Sequence, residues 1–151
     1  MKRGFTLIEI ILVIAIASVI ASITVSAFSR FNRAIAIRKD AEKIVSILNK
    51  ARSNTIAARS GSQYGVHFES GRVVMFVGNI YSALAPTNEP LKFQSPVSAS
   101  TISLAGGGSD VVFERLTGIT SNFGFVILSL TGEPLVTRRV NISSNGLVDI
   151  Q

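Results

Sequence analysis

Read on its own, the amino-acid sequence points to an α+β protein. One long N-terminal α-helix has a first half apolar enough to cross a membrane and an amphipathic second half. It packs on a C-terminal antiparallel β-sheet or two-sheet sandwich. Three observations carry this reading. Residues 10–29 are uncharged and rich in Ile, Val and Ala. Neither Pro nor Gly interrupts the stretch from Phe5 to Ser60. After Gly61 the hydrophobic period changes from the helical repeat to two, with turn residues every eight to twelve positions or so.

The composition sets bounds. A chain of 151 residues has room for one domain and an appendage. It is 47% hydrophobic with a mean hydropathy of +0.44, and the first 28 residues supply much of that excess. The net charge of +6 suits nucleic acid or an anionic surface in general. Here the basic residues are dispersed from Arg30 to Arg139, and Lys2 and Arg3 precede the apolar run. The absence of cysteine excludes a disulfide framework, a thiolate zinc site and a thiol nucleophile.

The first element follows from length and charge. Twenty uncharged residues at about 1.5 Å each span about 30 Å, the thickness of a hydrocarbon core. Lys2 and Arg3 ahead of the run predict a cytoplasmic N-terminus. A plain signal anchor, a secretory signal cut after Val25-Ser26-Ala27, and cleavage at Gly4 ahead of the run are the three readings. Glu9 separates them, because a carboxylate deep in a bilayer costs about 2.5–3.5 kcal/mol. Only a neutralising cation accounts for it. Cleavage between Gly4 and Phe5 creates one, a new α-amine four residues from Glu9. In a bundle of such helices, the amine of one subunit meets Glu9 of its neighbour.

Lys2-Arg3-Gly4-Phe5-Thr6-Leu7-Ile8-Glu9, followed by an apolar helix, resembles the class III leader of type IV pilins and type II secretion pseudopilins. The resemblance implies a pilin fold and divides the chain into a prepilin leader (1–4), a transmembrane and assembly helix (5–29), an amphipathic helix (30–60) and a β-rich globular domain (61–151). It implies that Gly4 is the cleavage site, Phe5 the N-methylated residue and Glu9 the assembly glutamate. The partners it implies are other pilin or pseudopilin subunits, a prepilin peptidase, an inner-membrane assembly platform, and the membrane itself before assembly. The place it implies is the inner membrane, crossed once, and then an extracytoplasmic filament or pseudopilus. Many major pilins carry a helix proline at the position matching Ser26, and this chain departs from them there.

The helix is expected to continue from Phe5 to near Arg59, about 80 Å, with Gly61 as its stop. Phe31, Ala34, Ile35, Ala41, Ile44, Val45, Leu48 and Ala51 form an apolar stripe for the sheet. Arg33, Lys39, Asp40, Glu42, Lys43 and Lys50 form a solvated face.

Strands are expected at Tyr64–Phe68, Arg72–Val77, Leu91–Phe93, Ser100–Leu104, Val111–Glu114, Phe125–Leu130, Leu135–Ile142 and Leu147–Ile150. Ser70-Gly71, Gly106-Gly107-Gly108, Thr131-Gly132-Glu133-Pro134 and Ser144-Asn145-Gly146 mark turns. Ala51-Arg52, Tyr64-Gly65-Val66-His67-Phe68, Val112-Phe113, Gly124-Phe125-Val126-Ile127-Leu128 and Ile142-Ser143-Ser144-Asn145-Gly146-Leu147-Val148 resemble the GspH/FimT branch of minor pilins and pseudopilins.

No catalytic constellation, cofactor motif or metal-ligand set emerges. His67, the single histidine, alternates away from Val66 and Phe68 and reads as a surface residue. The triple glycine lacks a following Lys-Ser/Thr and helix, and reads as a loop. Asp110 and Glu114 lack the dense oxygen ligands that calcium needs. Asn141-Ile142-Ser143 matches a glycosylation sequon, which means little in the prokaryote that the resemblance implies. Some FimT-type minor pilins take up DNA through a basic C-terminal tail, but this chain ends Leu147-Val148-Asp149-Ile150-Gln151. Arg138 and Arg139 form the one basic pair of the strand region. They are expected to face opposite sides of a strand, without interleaved aromatics. Nucleic acid is therefore an alternative partner and not the favoured one. The sequence reads as a non-enzymatic structural subunit, a minor pilin or pseudopilin, with a DNA-binding minor pilin or a major pilin as alternatives.

Overall fold

The computed structural model describes residues 6–151, apart from the side chains of residues 25, 26 and 60. The chain forms two compact units, divided between Ala34 and Ile35. Helix α1 runs Leu7–Ile56 without interruption. Thr6 begins it, its Oγ1 accepting a hydrogen bond from the Glu9 N–H at 3.3 Å.

In the first unit every large apolar side chain described is exposed, from Leu7 at 78% to Ile10 at 48%. The hydroxyls within this run are satisfied locally. Ser18, Ser22 and Thr24 donate to the carbonyls of Ala15, Val19 and Ile20 at 2.8, 2.8 and 2.9 Å. Bonding back to the helix lets these residues sit in an apolar medium without orphaned donors.

In the second unit α1 ends three residues before the expected Arg59. Buried Thr55 turns the chain. Its Oγ1 donates to the Ala51 carbonyl and accepts the Tyr64 N–H, both at 2.9 Å. Ala58 takes a left-handed conformation, φ 48°, and Gly61 closes a short 3-10 turn, Arg59–Gly61, rather than the α-helix itself.

Among the described residues, eight strands follow: β1 Tyr64–Glu69, β2 Arg72–Val77, β3 Glu89–Lys92, β4 Val97–Leu104, β5 Asp110–Val112, β6 Gly124–Leu130, β7 Glu133–Ile142 and β8 Val148–Ile150. They form two antiparallel four-stranded sheets, ordered β3-β2-β1-β5 and β4-β6-β7-β8. All eight expected segments are present, with shifted ends. Pro90 is accommodated inside β3 because that strand is a sheet edge, where a missing N–H leaves no ladder bond unmade. β4 starts at Val97, before the expected Ser100, and bulges between Ala99 and Thr101.

One core joins helix and both sheets. Ile37, Ile44, Leu48 and Ala51 of α1 meet Val66, Phe68, Val73 and Met75 of the first sheet and Val126, Leu128, Val140 and Ile142 of the second. The expected stripe needs correction. Phe31 and Ala34 are exposed and fall in the first unit, whereas Ile37 and Ile47 are buried. Gly65 is set by packing and not by backbone angle. A Cβ there would lie 2.5 Å from Cζ of Phe76, whose ring covers the strand.

Asp40 corrects the reading further. Assigned above to the solvated face, it is fully buried. Its Oδ1 takes the Lys43 ammonium at 2.7 Å and its Oδ2 the Gln94 N–H at 2.6 Å, so the carboxylate pegs the helix to the segment entering β4. A helical wheel places residue 40 near the edge of the stripe, and only the long-range partner Gln94 makes its burial tolerable.

Two outcomes follow for the fragment 29–151, which contains the whole core. Asp40→Ala orphans the Lys43 charge and the Gln94 N–H, and should cost about 2–4 kcal/mol, read as a lower urea midpoint at unchanged slope. Glu69 titrates at the β1–β2 turn. Hydrogen bonds from Arg72 hold its carboxyl below the ordinary 4.5, against a smaller opposing effect of burial. The charges of Arg72 and His67 and a hydrogen bond from Tyr81 add to the lowering. A folded-state value below the unfolded one means a stabilisation present above pH 4.5 and lost as pH falls through the folded value. The gap in stability between wild type and Glu69→Gln should therefore shrink from about pH 6 to below about pH 4, measured by denaturation at each pH.

Candidate functional site

The residues singled out above lie in different parts of the chain. Gly4 and Phe5 lie outside the described residues. Glu9 lies in the first turn of α1, exposed. Among the described residues no cation lies within ion-pair reach of it. Its backbone N–H bonds Thr6, which the sequence reading passed over. The signal was present as Thr-x-x-Glu ahead of an apolar run, an N-terminal helix signature. The surrounding helix contains a stretch of mean hydropathy 2.6, none of it buried. It is long and apolar enough to cross a membrane. Chemically this is an uncovered apolar rod with a single carboxylate near its start, a surface suited to lipid or to other apolar helices.

At the other end of α1, Arg52 reaches two loops. Its Nε donates to the Gly118 carbonyl at 3.0 Å and an Nη donates to the Asn145 carbonyl at 3.4 Å. Gly146 allows this approach. It has φ 78°, and a Cβ there would fall 2.0 Å from the Gly118 oxygen. Arg52 and Ser144-Asn145-Gly146, separate motifs in the sequence, are thus parts of one staple. Beside it lies a shallow depression lined by Glu114, Ile119, Phe123 and Asn145.

Arg138 and Arg139 sit on β7 and are both exposed. The strand register places them on opposite faces, Arg138 beside Leu128 and Arg139 beside Ile127. β8 pairs with Val140–Ile142, and Gln151 exchanges backbone hydrogen bonds of 3.0 and 2.8 Å with Arg139, so β7 is a sheet edge only ahead of Arg139. The expectation of no neighbouring aromatic is corrected. The Arg139 guanidinium lies 3.7 Å over the ring centroid of Phe125 on β6, and its Nε bonds Asn141 Oδ1 at 2.7 Å. Pairing of β6 with β7 creates this neighbour across fourteen residues of sequence.

His67 is half-buried and not a plain surface residue. Its ring stacks on Tyr81, with centroids 3.9 Å apart and planes 7° apart. Nδ1 lies 2.5 Å from Asp110 Oδ1 and Nε2 lies 4.0 Å from Glu69 Oε1. Among the described residues no group of three His, Cys, Asp or Glu could hold a metal ion. The triple glycine is the β4–β5 turn, with all three residues at positive φ.

Comparison with known proteins accounts for both units. Residues 1–25 match the prokaryotic N-terminal methylation motif, and residues 40–146, more than half of the chain, match the family described as Type II transport protein GspH. No curated protein matches the sequence. Two solved structures share the fold. The type IV minor pilin FimU of Pseudomonas aeruginosa is 16% identical over 76% of this chain and 91% of its own, with a TM-score of 0.57. The minor pseudopilin EpsH from the type 2 secretion system of Vibrio cholerae is 13% identical over 77% of this chain and 96% of its own, with a TM-score of 0.55. A long helix on two antiparallel sheets, carrying a methylation motif ahead of an apolar run, is the architecture of structural pilin and pseudopilin subunits. The chain belongs to the Type II transport protein GspH family.

Proposed function

We propose that the protein is a minor structural subunit, cut after Gly4, methylated on the new Phe5 amine and built into a type IV pilus or type II secretion pseudopilus. The observation that carries this reading is the apolar half of α1. Its hydrophobic window is entirely unburied, although the same chain holds a complete core elsewhere. Such a surface needs either lipid or the helices of other subunits. The membrane serves before assembly, with the N-terminus cytoplasmic, and the filament serves after it. Glu9 then sets the stagger between subunits by pairing with a neighbour's N-terminal amine. A prepilin peptidase and an inner-membrane platform are the partners this route requires. The missing cysteines and the uninterrupted helix through residue 26 favour a minor over a major subunit.

Mass spectrometry of the protein from native membranes should give a mature N-terminus at methylated Phe5. A start at Phe28 would make it an ordinary secreted protein and end the proposal. In the same cells, Glu9→Ala should reduce incorporation into filaments about tenfold or more, while the mature N-terminus is unchanged.

A second reading has one observation in its favour. Arg139 is exposed over Phe125, a cation and a ring that can meet nucleic acid, and Arg138 is exposed on the opposite face of the same strand. The fragment 29–151 should then shift DNA in a gel at low salt, less so as salt rises, and Arg138→Ala with Arg139→Ala should abolish the shift. No shift at low salt removes this reading.

A further inference from the structure

The outer face of the first sheet carries a second, smaller packing site. Val74 and Phe76 of β2 point away from the main core and are nonetheless 2% and 1% exposed. The segment between β2 and β3, residues 78–88, reaches this face through Tyr81. Its ring meets Phe76 edge-on, with centroids 5.5 Å apart, and stacks flat on His67. The segment is braced within itself. Asn88 Nδ2 donates to the Ser82 carbonyl at 2.8 Å, and the Asn88 N–H bonds the Ala85 carbonyl at 3.2 Å. It holds outward two apolar side chains, Ile80 at 77% and Leu84 at 94% exposure.

His67 sits between two carboxylates from different strands. Asp110 on β5 faces Nδ1, and Glu69 on β1 faces Nε2. From β2, Arg72 holds Glu69 through two hydrogen bonds of 2.7 and 2.9 Å, so that carboxylate stays ionised while its charge is shared. Tyr81, from the 78–88 segment, completes the surroundings. An imidazolium has two N–H groups and serves both carboxylates. A neutral ring has one N–H and turns a lone pair toward the other acid. The stack on Tyr81 also gains when the ring is cationic.

We propose that His67 is a proton-operated buckle: charged, it clamps Tyr81 and with it the 78–88 segment onto the sheet, and neutral, it lets the segment lift, rearranging the Ile80 and Leu84 surface. The clamp is strongest where the ring carries its second proton between the two carboxylates, and it loosens when that proton is lost. Opening detaches the segment and not the fold, because the main core does not include Val74, Phe76 or Tyr81. The device is independent of which machine the subunit serves.

Amide hydrogen exchange of the full chain in detergent, corrected for intrinsic rates, reads the clamp directly. Protection of residues 78–88 should fall about fivefold from about pH 5.5 to about pH 8, with β6 and β7 unchanged. His67→Phe keeps a ring on Tyr81 without a charge, and should give the same protection at both values. Asp110→Asn, which leaves the fold's core untouched, should shrink the change. Equal protection of the wild type at both pH values overturns the proposal, as does a pH response that survives in His67→Phe.

Discussion

The organisation of this protein answers one constraint: half of a continuous helix has no cover from its own chain. A stretch of mean hydropathy 2.6 with none of it buried cannot rest in water. Each buried Leu or Ile side chain is worth about 1.5–3 kcal/mol, and the run exposes many of them. The environment must therefore be apolar, and it must accept a carboxylate at residue 9. Ser18, Ser22 and Thr24 carry no such demand, because their hydroxyls are spent on the helix's own carbonyls. Glu9 is the one acidic side chain in the run, and no cation of the described residues reaches it.

The second half of α1 meets the opposite condition, a core filled from three sides. Apolar packing positions it, and polar pegs define its register against the sheets. Asp40 bonds the strand-entry segment at Gln94, Thr55 bonds the Tyr64 N–H, and Arg52 bonds the loops at Gly118 and Asn145. Thr55 satisfies the N–H of buried Tyr64, and Arg52 the carbonyl of buried Gly118. Spaced along the helix, the pegs resist sliding and rotation more specifically than Ile or Leu contacts do, since a one-residue slip breaks all three.

The surfaces left over are the ones that differ in chemistry. β7 displays Arg138 on one face and Arg139, over Phe125, on the other, while Pro134 and the charge of Arg138 discourage uncontrolled strand pairing along its free edge. The 78–88 segment displays Ile80 and Leu84 and is fastened by a charged cluster on the outer sheet face. The fold is shared with FimU and EpsH at 16% and 13% identity.

Local pattern alone determined the long helix, the eight strand segments and the absence of thiol chemistry, and it singled out Glu9 as the lone carboxylate of the apolar run, because hydrophobic period, turn residues and charge placement act over a few positions. The methylation motif at residues 1–25 is equally local and was readable as a string. Tertiary structure decided the rest. Whether the strands made one sheet or two depended on pairings far apart in sequence, such as β1 with β5. Asp40 looked solvated because its partner, Gln94, lies 54 residues away. His67 looked like a surface residue because Tyr81 and Asp110 reach it only across a loop and a strand. Arg139 reads as lacking an interleaved aromatic because Phe125 comes beneath it only through a hairpin. In each case the side chain's state depends on a group that only chain folding brings near, and no local period encodes that distance.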